Sequence, residues 1–122
     1  MEVAPAKSFQ NLIVWQKSHA LALRVYRVSS SYPKPEMYGL TSQVRRAATS
    51  VPANIAEGFK RASRADKARM LNVAQGSLEE LRYYLLLAQD LGYEGDSELT
   101  ANLDEVARLL DAYRRKILSS IL

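Results

Sequence analysis

Gln43, Arg46, Ser50, Asn54, Glu57 and Arg61 recur at spacings of three and four. On a helix they form one row of amides, a hydroxyl, a carboxylate and two guanidiniums. Beside them Leu40, Val44, Ala47, Ala48, Val51, Ile55 and Phe59 form an apolar row of the same period. At about 100° per residue the polar row lies roughly 115° round from the apolar one. It therefore flanks a buried stripe. Such a row can hold an anion, bond two helices together, or face water. A carboxylate drawn inward there needs a cation and donors. Arg61, four residues after Glu57, can supply one locally. Arg46 lies about three turns before Glu57 and must reach an acid on another helix or subunit. Asn54, Glu57 and Arg46 could bond with groups of the third helix, such as Glu80 or Tyr83, or cap broken backbone near Pro52. We read Gln43, Arg46, Asn54, Glu57 and Glu80 as a structural polar network.

The second legible chemistry is anion binding. Between residues 43 and 69 there are seven Lys or Arg against Glu57 and Asp66. Arg45, Lys60, Arg61, Arg64, Lys67 and Arg69 are the candidate nucleic-acid contacts, since cations gathered at one corner neutralise phosphates. Tyr38, Tyr83 and Tyr84 have faces on which bases can stack. They are not interleaved with the cations, and a solvated corner is the plainer alternative. The net charge is +4, divided unevenly. Residues 1–69 carry 12 basic and 4 acidic side chains, whereas residues 70–122 carry 5 and 9. The imbalance suggests an anionic partner for the first half, or charge pairing between halves or subunits.

Catalytic patterns are missing. His19 is the only histidine, and Gln16 stands where a di-iron bundle needs a glutamate three residues earlier. There is no metalloprotease motif, phosphate loop, dinucleotide fingerprint or nucleophile elbow. Glu79 and Glu80 are adjacent, so they point about 100° apart and do not form an acid–base pair. With no cysteine there is no thiol nucleophile, thiolate metal site or disulfide. No enzyme activity, metal or cofactor is expected. The first ten residues lack a signal-peptide pattern, and no apolar run approaches the roughly 18 residues of a membrane span. A soluble cytoplasmic protein, without membrane association, is the expectation.

The elements that must position these residues are helices. The 122 residues suit one domain, 1–122, with 1–9 as a loose tail. The first helix is predicted from about Asn11, as N-cap, to Ser30. Leu12, Trp15, Ala22 and Tyr26 form one apolar stripe on it, and Leu21, Val25 and Val28, with Val14 near, form a second. Two stripes mean either a central helix or contact with another subunit. The second helix is predicted to begin after Thr41 as cap. Pro52 should kink or break it near Ser50–Pro52, but the apolar phase persists across the proline. The third has Ser63 as N-cap, Asp66 completing a capping box, and Gly92 as left-handed terminator. Its Gly76 is predicted to mark a close helix–helix approach. The fourth runs from about Ser97 to the C-terminus on a stripe of Leu99, Leu103, Val106, Leu110, Tyr113 and Ile117. Arg114, Arg115 and Lys116 suit the negative end of its dipole. The predicted fold is an all-α, antiparallel up-down-up-down four-helix bundle with a Pro-kinked second helix.

The segments FQNLIVWQKSHALALRVY, SYPKPEMYGLTSQVRRAATSVPANIAEGFKR and LNVAQGSLEELRYYLLLAQDLGY, in that order, carry a family resemblance. From about Phe9 to Tyr93 the chain resembles the bacterial four-helix bundle family of 23S rRNA intervening-sequence proteins. LTSQVRRAATSVPANIAEG and GSLEEL are its most specific parts. The resemblance implies a bundle that assembles into a ring-like homopentamer. It extends to the accessory variability determinant of diversity-generating retroelements, a basic pentamer that works with a reverse transcriptase and nucleic acid. The implied partners are further copies of the chain, RNA or DNA, and a reverse transcriptase or other protein. Two functions are therefore expected. One is a non-enzymatic homo-oligomer that binds nucleic acid through a basic surface as an accessory factor. The alternative is a structural or protein-interaction scaffold.

Overall fold

A computed structural model describes residues 5–119. Residues 1–4 of the expected tail and 120–122 lie outside the described residues. Four helices follow one another: α1 (Ile13–Ser29), α2 (Leu40–Lys60), α3 (Arg64–Asp90) and α4 (Leu99–Ser119). No strand occurs among the described residues. Each helix lies beside the next, and α4 closes against α1, which makes an all-α bundle. Bonds across the seams fix the register. Arg46 meets Glu80 and Ser50 meets Ser77 between α2 and α3. Arg82 meets Asp104 and Gln75 meets Asp111 between α3 and α4. Lys17 meets Glu105 between α1 and α4, and Arg24 of α1 meets Glu98 just before α4.

The core takes Val44, Ala47, Val51 and Ile55 from α2, Leu71, Ala74, Leu78 and Leu81 from α3, and Leu103, Val106 and Leu110 from α4. α2 is one unbroken helix through Pro52. The persistence of its apolar phase predicted that continuity, and no break occurs at Ser50–Pro52. On α1 the inward row is Val14, Ser18, Leu21, Val25 and Ser29, with Ala22 beside it. The Trp15–Tyr26 stripe runs instead along the surface groove between α1 and α2, where Tyr26 is 43% exposed. The two inward serines stay inside because each hydroxyl donates to a carbonyl of its own helix, Ser18 to Trp15 and Ser29 to Tyr26.

The helix ends differ from expectation in two places. Asn11 does not cap α1. Its carboxamide accepts from the backbone of Lys7 and Ser8, closing a short 3-10 turn, Phe9–Asn11, capped by Ser8. The tail is thus structured from Lys7, and the Phe9 ring meets Trp15 edge-on at 4.9 Å. Thr41 does not cap α2 either; it is buried in the first turn. The cap comes from outside the helix, where Glu36 Oε1 accepts from the Leu40 amide at 3.2 Å. Gly39 leaves the room, since a Cβ there would lie 2.8 Å from that oxygen. At the end of α3, Gly92 takes φ +81. Its amide donates to Gln89 and that of Tyr93 to Ala88, the expected glycine-terminated turn.

Glu36 also ties this turn to the start of α2. Its Oε2 accepts from the Tyr93 hydroxyl at 2.7 Å, while the Tyr93 ring packs 5.4 Å from buried Tyr32. The Tyr93 bond first, then the Leu40 amide, hold the Glu36 carboxyl below its usual range. The sign follows from linkage. A depressed carboxyl pKa gives stability that is complete above the unfolded pKa and is lost as pH falls through the folded one. Glu36→Gln should therefore be less stable than the parent at neutral pH. The gap should narrow as the solution is acidified below the usual carboxylate range. Urea midpoints measured across that range check it, and a gap of constant size into strong acid would contradict it.

Candidate nucleic-acid interface at one end of the bundle

α2 ends and α3 begins at one corner, joined only by Arg61, Ala62 and Ser63. The corner is tight because α3 passes directly over Gly58. A Cβ on Gly58 would lie 3.1 Å from Met70 Cβ and 3.5 Å from the Lys67 carbonyl. The expected close approach at Gly76 is not found: no atom lies within 4 Å of a Cβ built there. The contact belongs to Gly58, which is buried against α3; Gly76 lies at the level of the seam beside Ser77 but about 100° round from it, on the exposed side of α3. The same closeness lets Lys67 Nζ reach back to the last turn of α2, where it donates to the Phe59 carbonyl at 2.7 Å. That ammonium sits at the negative end of the α2 dipole. Ser63 Oγ accepts from the Asp66 amide at 3.1 Å and caps α3, which is one half of the predicted capping box.

Among the described residues three acids lie at this end, and each is occupied by a cation of its own segment. Glu57 pairs with Arg61 at 3.2 Å, Asp66 with Arg69 at 3.4 Å, and Asp111 with Arg115 at 3.0 Å. The Gln75–Asp111 contact sets the level of α4. One to two turns further on, that register brings Arg115 and Lys116 level with the first turns of α3. Lys60, Arg64, Arg114 and Lys116 have no carboxylate partner among the described residues. The positive excess is thus a property of one end of the bundle. Dividing the chain into halves hid this, because the cations of α4 were grouped with acids at the opposite end. The one signal in the sequence was the run Arg114, Arg115 and Lys116 in the last turns of the fourth helix, which an up-down-up-down order brings to the end where α2 meets α3.

Arg45 lies away from this end. Its Nε donates to Ser29 Oγ at 2.8 Å, Nη2 donates to the Tyr26 carbonyl at 3.3 Å, and the guanidinium rests 4.6 Å from the Tyr26 ring centre. It joins α2 to the last turn of α1.

The polar row of α2 runs along the α2–α3 seam. Gln43 Oε1 accepts from Arg46 Nε and Nη2 at 3.1 and 3.0 Å. Arg46 Nη2 donates to Glu80 Oε2 at 2.8 Å, and the Tyr84 hydroxyl donates to the same oxygen at 3.1 Å. The Arg46 guanidinium, helped by Tyr84, holds the Glu80 carboxyl below its usual range. Gln43, Arg46 and Glu80 thus form one cluster, with Tyr84 taking the part that Tyr83 was considered for. Asn54 belongs to a second. Its amide donates to the Ser50 carbonyl at 2.7 Å and to Ser50 Oγ at 3.0 Å, and that hydroxyl meets Ser77 at 2.8 Å. Glu57 bonds only to Arg61 within this row. With their mutual bonds made, these groups hold the seam and present no converging set for a reactant.

No group of three metal-ligating side chains occurs among the described residues, and no described helix is long and apolar enough to cross a membrane. Fold and site together define a small helical bundle with one basic end. The chain belongs to the 23S rRNA-intervening sequence protein family, whose sequence model matches residues 10–112. The fold is similar to a crystal structure of a protein of unknown function from the S23 ribosomal protein family of Bacteroides thetaiotaomicron. The two share 26% identity with a TM-score of 0.75, over 84% of this chain and 96% of that one. No functionally curated protein matches.

Proposed function

We propose that this is a non-enzymatic, homo-oligomeric, cytoplasmic accessory protein that binds the phosphate backbone of nucleic acid through the basic end of the bundle. The observation that carries the reading is the pairing pattern. The acids of that end, among the described residues, are spent on Arg61, Arg69 and Arg115, and Lys60, Arg64, Arg114 and Lys116 have no carboxylate among those residues to offset their charge. Lysines and arginines on rigid helix ends neutralise phosphates without reading bases. Self-association is supported by two separate apolar surfaces. One is the α1–α2 groove with Trp15, Leu23 and Tyr26; the other is the exposed pair Tyr83 and Leu86, one turn apart on the outside of α3. Two different patches favour head-to-tail contact, which closes into a ring when the rotation allows. The homopentamer implied by the family resemblance is such a ring. The same surfaces favour the second reading, a protein-interaction scaffold.

Titration of labelled structured RNA and duplex DNA at several salt concentrations, with light scattering on the same samples, tests the proposal. The expected result is an oligomer whose affinity for both falls steeply with salt, by about 0.7 to 0.9 log units per log unit of salt for each phosphate contacted. Absence of binding at low salt removes the nucleic-acid reading and leaves the scaffold. A monomer at micromolar concentration removes the assembly.

A further inference from the structure

At the other end of the bundle a cleft of about 570 Å³ opens between the last turns of α3, the segment after it, and the start of α4. It is independent of the basic end and of any nucleic-acid role. Buried Tyr32, Ala88, Leu99 and Leu103 make its floor, with Leu85 half-buried beside them. Its size falls within the range of about 300–1,000 Å³ typical of small-molecule sites, and a gap between bundle helices is a usual place for one. The floor offers an apolar ligand surface and no charge.

The charge lies at the mouth, with one sign in excess. Arg82 lines the cleft, but it is held by Asp104 at 2.9 Å and Glu79 at 3.3 Å. Asp96 lines it too, paired with Arg24, which also contacts Glu98 at 3.1 Å. Glu94 lines it and has no ion-pair partner among the described residues. Arg27, one turn after Arg24, also acts on Asp96, so three arginines stand near five carboxylates, and the carboxylate without an ion pair, Glu94, is on the rim. Over low-dielectric walls such an excess focuses a negative potential into the opening, attracting cations and rejecting anions.

We propose that this cleft binds a small amphiphilic cation, an organic ammonium with an aliphatic or aryl body. The apolar body lies on Leu99, Leu103 and the Tyr32 ring, and the ammonium faces Glu94 at the rim. Octylammonium, octanoate and octanol, each below its micelle concentration, separate the two parts of the proposal by isothermal titration at low salt. Octylammonium should bind once per chain and at least about tenfold more tightly than octanoate, with octanol between them. Thr100→Trp places an indole in the cleft from an exposed position of α4 and should abolish binding. Gln89→Trp does the same from α3 and serves if the first variant fails to fold. Glu94→Lys should remove or reverse the preference for the ammonium. Lack of octylammonium binding, equal binding of octanoate, or full binding by a folded tryptophan variant overturns the proposal.

Discussion

Replacing Gly58 by leucine is expected to cost the domain about 1–2 kcal/mol net. The new Cβ would meet Met70 Cβ at 3.1 Å, and the rest of the side chain has no space between α2 and α3. Overpacking of this kind costs about 1–3 kcal/mol. The loss of a helical glycine returns about 1 kcal/mol of propensity. The steric cost outweighs that return because its nearest neighbours are the Cβ of Met70 and the carbonyl of Lys67, which cannot swing aside. Forced apart, the corner also loses the Lys67 bond to the Phe59 carbonyl. Gly76→Ala is the contrasting case. Nothing lies near its Cβ in the bundle, so only propensity acts, and stability should rise by about 1 kcal/mol. Urea unfolding of both variants checks the pair. A Gly58→Leu protein as stable as its parent would show that α3 does not press on α2 there. A destabilised Gly76→Ala would show that position 76 is covered in the assembly.

Reversing charge at the basic end is expected to have the largest effect on binding. Lys60→Glu with Arg64→Glu should weaken the complex with RNA or DNA by about a hundredfold at low salt. The slope of log affinity against log salt should fall by about two, one for each phosphate no longer neutralised. Arg114→Glu with Lys116→Glu should do the same, although these residues stand some fifty positions further along the chain. That second result distinguishes an interface formed by the end of the bundle from one formed by the α2–α3 corner alone. Arg45→Gln supplies the control. Its guanidinium bonds Ser29 and Tyr26, so thermal stability should drop while the salt slope stays unchanged. If only the corner pair affects binding, α4 is not part of the surface. If Arg45→Gln lowers the slope, the site extends to the opposite end.

The periods of the apolar residues were enough to place four helices, because burial demands a face and a helix repeats it every three or four positions. They also carried α2 through Pro52, since the phase of Val44, Val51 and Ile55 does not slip. Local signals at Ser63 and Gly92 were legible because cap and terminator chemistry acts within a few residues. The start of α2 was not legible in this way. Its cap, Glu36, stands four residues before the amide it accepts from and is oriented in part by Tyr93 of a distant turn. The inward row of α1 was obscured by Ser18 and Ser29, whose hydroxyls are satisfied within the helix and so cost little to bury.

The row from Gln43 to Arg61 shows where sequence and tertiary structure divide. Residue types and spacing determined by themselves that these groups share a flank beside the core, and that Glu57 could pair with Arg61. Only the packing of α3 on α2 decided that Arg46 meets Glu80 and that Ser50 meets Ser77, which commits the row to the seam. The same division holds for the cations. Their number is written in the chain, but pairing depends on distances between helices. The register of α4 against α3 decided which arginines and lysines share an end with Lys60, and the local acids decided which of them stay unpaired. Charge acts through space, and helical period carries no information about which helix will be the neighbour.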